Sequence, residues 1–124
     1  MTYPESSQFA LGVDLLNRGE FYDAHEVLED VWRAAPEPER RFLQGLIQVA
    51  VAFHHHSRGN RIGFRSLLER AIRNLSSYPA HTRAWALTAL FDNLTRWRGT
   101  LENGASPPPA RLPASEAAKM SLAT

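Results

Sequence analysis

The sequence predicts an all-α domain, about five helices folded into a compact bundle of antiparallel helical hairpins. Three observations predict it. Apolar residues recur at spacings of three and four from about Ser6 to Gly99. No segment alternates apolar and polar residues as a half-buried strand does. Gly19, Gly59 and the prolines at 36, 38 and 79 punctuate the helical runs.

Each helix can be justified in turn. The first is predicted over about 6–18, where Phe9, Val13 and Leu16 line one face and Gly19 follows as a left-handed cap. The second, about 20–34, turns Phe21, Ala24, Leu28 and Val31 inward, and Pro36 and Pro38 stop it. The third, about 39–57, is apolar nearly all round: Phe42, Leu43, Leu46, Ile47, Val49 and Phe53 leave little polar face. Such a helix belongs at the centre of its domain. Gly59-Asn60 closes it. The fourth, about 61–77, buries Phe64, Leu67, Leu68, Ala71 and Leu75, and shows Arg65, Glu69 and Arg73 at ion-pair spacing. The fifth, about 81–98, buries Leu87, Leu90, Phe91, Leu94 and Trp97, with Trp85 on the opposite side.

These elements place the helical domain at residues 1–101. From Glu102 the composition turns to Gly, Ser, Ala and Pro, with three consecutive prolines at 107–109. Residues 102–124 therefore read as a flexible or extended tail that cannot bury enough apolar surface to order itself. At 124 residues the chain supports one core and no second.

Composition excludes several functions. There is no cysteine, which removes disulfides, thiolate metal sites and cysteine nucleophiles. The N-terminal residues are polar and include Pro4, where a signal peptide needs an apolar run. The longest apolar-rich stretch, 42–53, is interrupted by Gln44 and Gln48 and falls short of the roughly 20 residues of a membrane span. A cytoplasmic protein without membrane attachment is expected. No glycine-rich phosphate loop or nucleophile elbow is present.

Charge is unevenly spread. Residues 1–39 carry nine acidic and two basic side chains, while 40–124 carry twelve basic and four acidic. The two halves neutralise each other if the hairpins pack together, or else the basic half faces an acidic partner. Nucleic acid is the less favoured partner, because the arginines at 58, 61, 65, 70 and 73 lack interleaved aromatics and a recognition-helix signature.

The most informative stretch is Tyr22-Asp23-Ala24-His25-Glu26-Val27-Leu28-Glu29-Asp30-Val31-Trp32. On a helix His25, Glu29 and Trp32 share one side, and Glu26 projects about 100° away from His25. On helix 3, Gln44, Gln48 and His55 fall on one stripe with Val51 between them. Unpaired, each buried polar group costs about 1–3 kcal/mol. The economical arrangement packs the two stripes face to face, with Trp32 walling a small pocket. Of the consecutive residues His54, His55 and His56, only His55 lies on the glutamine stripe, and His54 and His56 are expected near the surface. His81 is expected to begin helix 5 without an evident partner.

Three uses of that cluster compete: a hydrogen-bond network fixing helix register, a ligand or interaction site, and a metal or catalytic site. His25-Glu26-x-x-Glu29 is one residue short of the zinc motif H-E-x-x-H. A triad of His25, Glu29 and His55 suits zinc or ferrous iron, with Glu26 as base. The leading expectation is a non-enzymatic helical scaffold or interaction module, with no firm cofactor and a protein or small ligand as partner. The alternative is a metal-dependent enzyme, hydrolytic in kind, with a divalent metal on that triad. The sequence names neither ligand nor oligomeric state.

A weak internal repeat accompanies these features. Residues 15–24, followed by Pro36, resemble the tetratricopeptide pattern of glycine, small helix-B residue and closing proline. The second hairpin reuses the glycine at Gly59 but puts bulky Phe64 where the small residue falls. Fewer than three such units are present, too few for an open solenoid.

Gly-Glu-Phe-Tyr-Asp-Ala-His-Glu-Val-Leu-Glu-Asp-Val-Trp-Arg (19–33), Gly-Leu-Ile-Gln-Val-Ala (45–50) and Gly-Asn (59–60) together resemble the domain-of-unknown-function family 309, small bacterial and archaeal all-helical proteins. The resemblance covers about residues 9–78. It implies an all-α bundle with signature positions at His25, Glu26, Glu29, Trp32, Gln44, Gly45, Gln48 and His55. Phe64 departs from the family's small residue. The family implies no particular activity.

Overall fold

A computed structural model describes residues 6–37, 39–76 and 84–104, with side chains from Gln8 onward except those at 84–91. Among these residues five helices form and no strand: α1 (Ser6–Asn17), α2 (Phe21–Ala34), α3 (Glu39–Ser57), α4 (Arg61–Ser76) and α5 (Ala84–Asn103). The predicted all-α bundle is therefore the observed one. None of the helices is long and apolar enough to cross a membrane. His81, the predicted start of helix 5 and the tail from 105 lie outside the described residues. So do the side chains of Trp85, Leu87, Leu90 and Phe91.

The first two hairpins are turned by the same device. At the end of α1 the amide of Gly19 donates to Leu16 and that of Glu20 to Leu15. At the end of α3 Gly59 donates to His56 and Asn60 to His55 in the same pattern. Each pair satisfies two orphan carbonyls of the helix end, with the glycine at positive φ, +82° and +77°. A residue with a Cβ is strained there. Asn60 then begins α4 as its N-cap: its side-chain oxygen accepts from the amide of Gly63 at 2.9 Å.

The hairpins also share a register. A Cβ added at Gly12 of α1 would meet Leu28 of α2 at 2.6 Å, and one at Gly45 of α3 would meet Leu75 of α4 at 2.6 Å. The first pair lies seven residues before and nine after Gly19, the second fourteen before and sixteen after Gly59. Both hairpins thus align the same offset across their turn, the second pair one heptad farther from it than the first. A glycine on one helix and a leucine on its partner let the axes approach closely in each.

Helix α3 lies at the centre, against α2 on one side and α4 on the other. Its Phe53 collects an aromatic ring from each of three other helices: Phe21 of α2 at 5.8 Å, Phe64 of α4 at 5.4 Å and Trp97 of α5 at 5.2 Å between centroids. Such ring pairs add about 0.5–1.5 kcal/mol beyond area burial. Phe64 stands where the first hairpin has Ala24, five residues past the turn glycine in each case. The bulky residue is accommodated because it fills space beside Phe53 and His56.

The inward residues match the predicted faces on α1, α2 and α4: Phe9, Val13, Leu16, Ala24, Leu28, Val31, Leu68, Ala71 and Leu75 are all buried. Phe21, Ile47 and Leu67 are only partly so. Ile72, which the apolar stripe of α4 omitted, is buried too. Helix α5 continues to Asn103, two residues beyond the expected boundary at 101. Gly104 follows, and its carbonyl takes an arginine donor from Arg61 at 3.5 Å.

Candidate functional site

The helix-2 cluster and the helix-3 glutamine stripe do not form the expected seam. Gln44 is exposed. Gln48 turns to α4, where its Oε1 accepts from Asn74 Nδ2 at 2.7 Å. His55 turns to the α3–α4 turn, with its Nδ1 3.2 Å from Asn60 Nδ2. The His55 ring also lies 2.8 Å from where a Cβ at Gly63 would stand, so that glycine leaves room for it. The physical reason is the rotation of α3. Because that helix is apolar nearly all round, its stripe faces outward between α2 and α4. Gln48 leans to α4, and His54, about 120° around the helix from Gln48, leans to α2.

Beside His25, α2 therefore meets Val51 and His54 of α3. Together with Phe21, Tyr22 and His25 they line a cleft of about 220 Å³. His25 is mostly buried at its edge, with 25% of its side chain exposed. The Tyr22 ring stands 5.9 Å from that of His25 and 6.2 Å from that of His54. Tyr22 is 56% exposed, unusual for so large a ring.

Carboxylates of α2 surround the cleft without entering it. His25 Nε2 lies 3.8 Å from Glu29 Oε2, one helical turn on, too long for a hydrogen bond. Glu29 is also drawn toward Arg33 at 3.4 Å, and Arg33 bonds Asp30 at 2.7 Å. Glu26 accepts from the Tyr22 hydroxyl, again at i and i+4. That hydrogen bond, and the carboxylate charge behind it, hold the phenol above its ordinary pKa of about 10.

A pH prediction follows. The raised value favours the neutral phenol in the folded state. Its contribution to stability is intact below the ordinary tyrosine pKa and is lost as pH rises through the folded value. Ultraviolet titration, read as wild type minus Tyr22→Phe, should show Tyr22 ionising at higher pH than free tyrosine. Glu26→Gln should move that titration back down. A Tyr22 titration indifferent to Glu26→Gln would remove the Tyr22–Glu26 bond from the account.

Trp32 does not wall the cleft. It lies seven residues from His25, about 10 Å along the axis, and ends up where α2 gives way to α3. There the guanidinium of Arg40 stacks over its ring at 4.1 Å. The indole Nε1 of Trp32 and Nε of Arg40 are both buried without a hydrogen-bond partner.

The triad of His25, Glu29 and His55 is not assembled, since His55 is held at the far turn by Asn60. Among the described residues no three histidine, aspartate or glutamate side chains converge into a group able to hold a metal ion. Glu26, expected as a spare base, is engaged with Tyr22 instead. Sequence reasoning missed His54 and Asn74 as participants. It placed Asn60 only as closing α3, and the signal for its N-cap role is an asparagine directly before a helical run.

Residues 9–67 match the family model described as Domain of unknown function (DUF309). That segment is 59 of the chain's 124 residues. The DUF309 segment contains the whole α2/α3 cleft and both glycine turns, and it ends within α4. The chain is 33% identical over 92 residues to an uncharacterized protein of Aquifex aeolicus (strain VF5), a match covering 73% of this chain and 28% of that protein. It is 39% identical over 59 residues to the uncharacterized protein YpuF of Bacillus subtilis (strain 168), covering 47% of this chain and 34% of YpuF. The chain thus spans about a third or less of the length of these relatives.

Proposed function

We propose that the chain is a non-enzymatic helical interaction module of the cytoplasm, and that the α2/α3 cleft receives one apolar or aromatic side chain of a partner. The observation that supports this reading is the exposed Tyr22 beside a cleft whose walls are Phe21, Val51 and two imidazoles. Its volume, about 220 Å³, is below the roughly 300–1,000 Å³ of sites that enclose a cofactor or drug-sized ligand. A single large side chain suits that space. Aromatic anchors with a polar tip, as Tyr22 and the histidines are, dominate the energetics of such contacts. The acidic groups around the rim favour a partner with a cation beside its anchoring side chain.

The test uses side-chain mimics. Titrating p-cresol and 3-methylindole into labelled protein should shift the resonances of Phe21, Tyr22, His25, Val51 and His54, with dissociation constants on the order of 1 mM. Val51→Trp, which fills the cleft from α3, should abolish the shifts while the melting temperature stays close to wild type. Shifts scattered over the whole surface, or undiminished in the filled variant, would refute the cleft as an anchor site.

A further inference from the structure

The basic half of the chain has a second concave surface that the α2/α3 cleft does not explain. Between α4 and α5 lies an open cleft of about 460 Å³. Its apolar lining comes from Ile72, which is buried, and Leu101, which is partly buried. Three guanidinium groups stand over it, Arg65 and Arg73 from α4 and Arg98 from α5. Glu69 and Glu102 complete the rim. Arg65 is partly neutralised, since its Nε lies 3.7 Å from Glu69. Among the described residues no carboxylate lies within ion-pairing distance of Arg73 or Arg98. The charge asymmetry of the sequence therefore survives folding here.

We infer that this cleft docks an acidic, amphipathic helical segment of a partner protein. Two features select that occupant. A groove between two helices with an apolar lining takes the apolar face of a third helix. The unpaired guanidiniums above it match carboxylates, which accept arginine's forked donors. A diffuse polyanion such as RNA or polyphosphate uses neither the Ile72–Leu101 lining nor a rim that carries two glutamates. The chain's own residues 105–124 do not qualify, because they hold one acid, Glu116, against Arg111 and Lys119. The site is separate from the α2/α3 cleft, and Arg73, Arg98 and Leu101 lie beyond the segment that matches the DUF309 family.

The experiment is fluorescence anisotropy with the whole 124-residue chain. The probe is a labelled synthetic peptide of about five helical turns, carrying glutamate and leucine along one face. At low salt it should bind with a dissociation constant of about 1–100 µM. Arg73→Glu with Arg98→Glu should weaken it at least about tenfold, as like charges then face each other. Both arginines are exposed, so the melting temperature should hold. Replacing the peptide's glutamates by glutamine should lose the same tenfold, and added salt should erode binding progressively. Equal affinity of the double variant overturns the inference. So does tighter binding of poly(U) RNA or polyphosphate than of the peptide. Concentration-dependent self-association that the double variant abolishes would also overturn it, by making a second copy of the chain the occupant. Filling the α2/α3 cleft with Val51→Trp should leave peptide binding untouched, so the two sites succeed or fail separately.

Discussion

Trp97→Ala is expected to destabilise the protein by about 3–5 kcal/mol, the range for truncating a buried tryptophan. Trp97 is the largest side chain buried completely among the described residues, at 0% exposure, and its ring lies 5.2 Å from that of Phe53 on the central helix. It thereby ties α5 to α3, while α5 packs only lightly on α4. Losing it should free α5 first, visible as faster amide exchange across 92–103 than across α3. Trp97→Phe should cost less than half as much. Phenylalanine keeps a ring against Phe53 and deletes an indole N–H that is buried without a partner. Urea unfolding followed by circular dichroism measures both. A loss below about 1 kcal/mol for Trp97→Ala would mean that α5 is docked by something else. Because Arg98, Leu101 and Glu102 ride on α5, the alanine variant should also disable the α4/α5 cleft and spare the α2/α3 one.

Gly45→Val should cost about 2–3 kcal/mol, near the upper end for overpacking. Valine gains only a few tenths of a kcal/mol over glycine in helix propensity, too little to offset the clash. Already its Cβ would sit 2.6 Å from Leu75 Cγ and 2.7 Å from Leu75 Cδ2. Relief requires α3 and α4 to separate, and these are the most extensively packed helices in the bundle. The decisive measurement is a double-mutant cycle. Leu75→Ala alone should lose about 2–5 kcal/mol through its cavity. Combined with Gly45→Val, the loss should fall short of the two singles added, by about 1–2 kcal/mol, as the valine enters the space vacated. Strict additivity would show that the two positions do not meet.

How much of this was readable in advance differs by level. The turn glycines Gly19 and Gly59 were identifiable because few other residues end a helix in the left-handed region. The apolar faces of α1, α2 and α4 were identifiable because each is a stripe, and a stripe has one way to face a core. Pairs one turn apart on α2 were also visible, and His25 does lie near Glu29. The partner of those groups was not. Gln48, His54 and His55 sit on a helix with apolar residues on nearly every side, and its rotation is left unspecified by its own periodicity. A turn of about 100° decides whether His54 or His55 faces α2.

Chain order and residue spacing by themselves determined the number of helices, most of their ends and most of the core, since each depends on interactions within a few residues. Tertiary structure alone decided that Gln48 meets Asn74 and that Tyr22, His25 and His54 share a cleft. The deciding contacts were close approaches between helices, Leu28 over Gly12 and Leu75 over Gly45. Those approaches set how each rod is turned against its neighbour, and that rotation selects which polar groups meet.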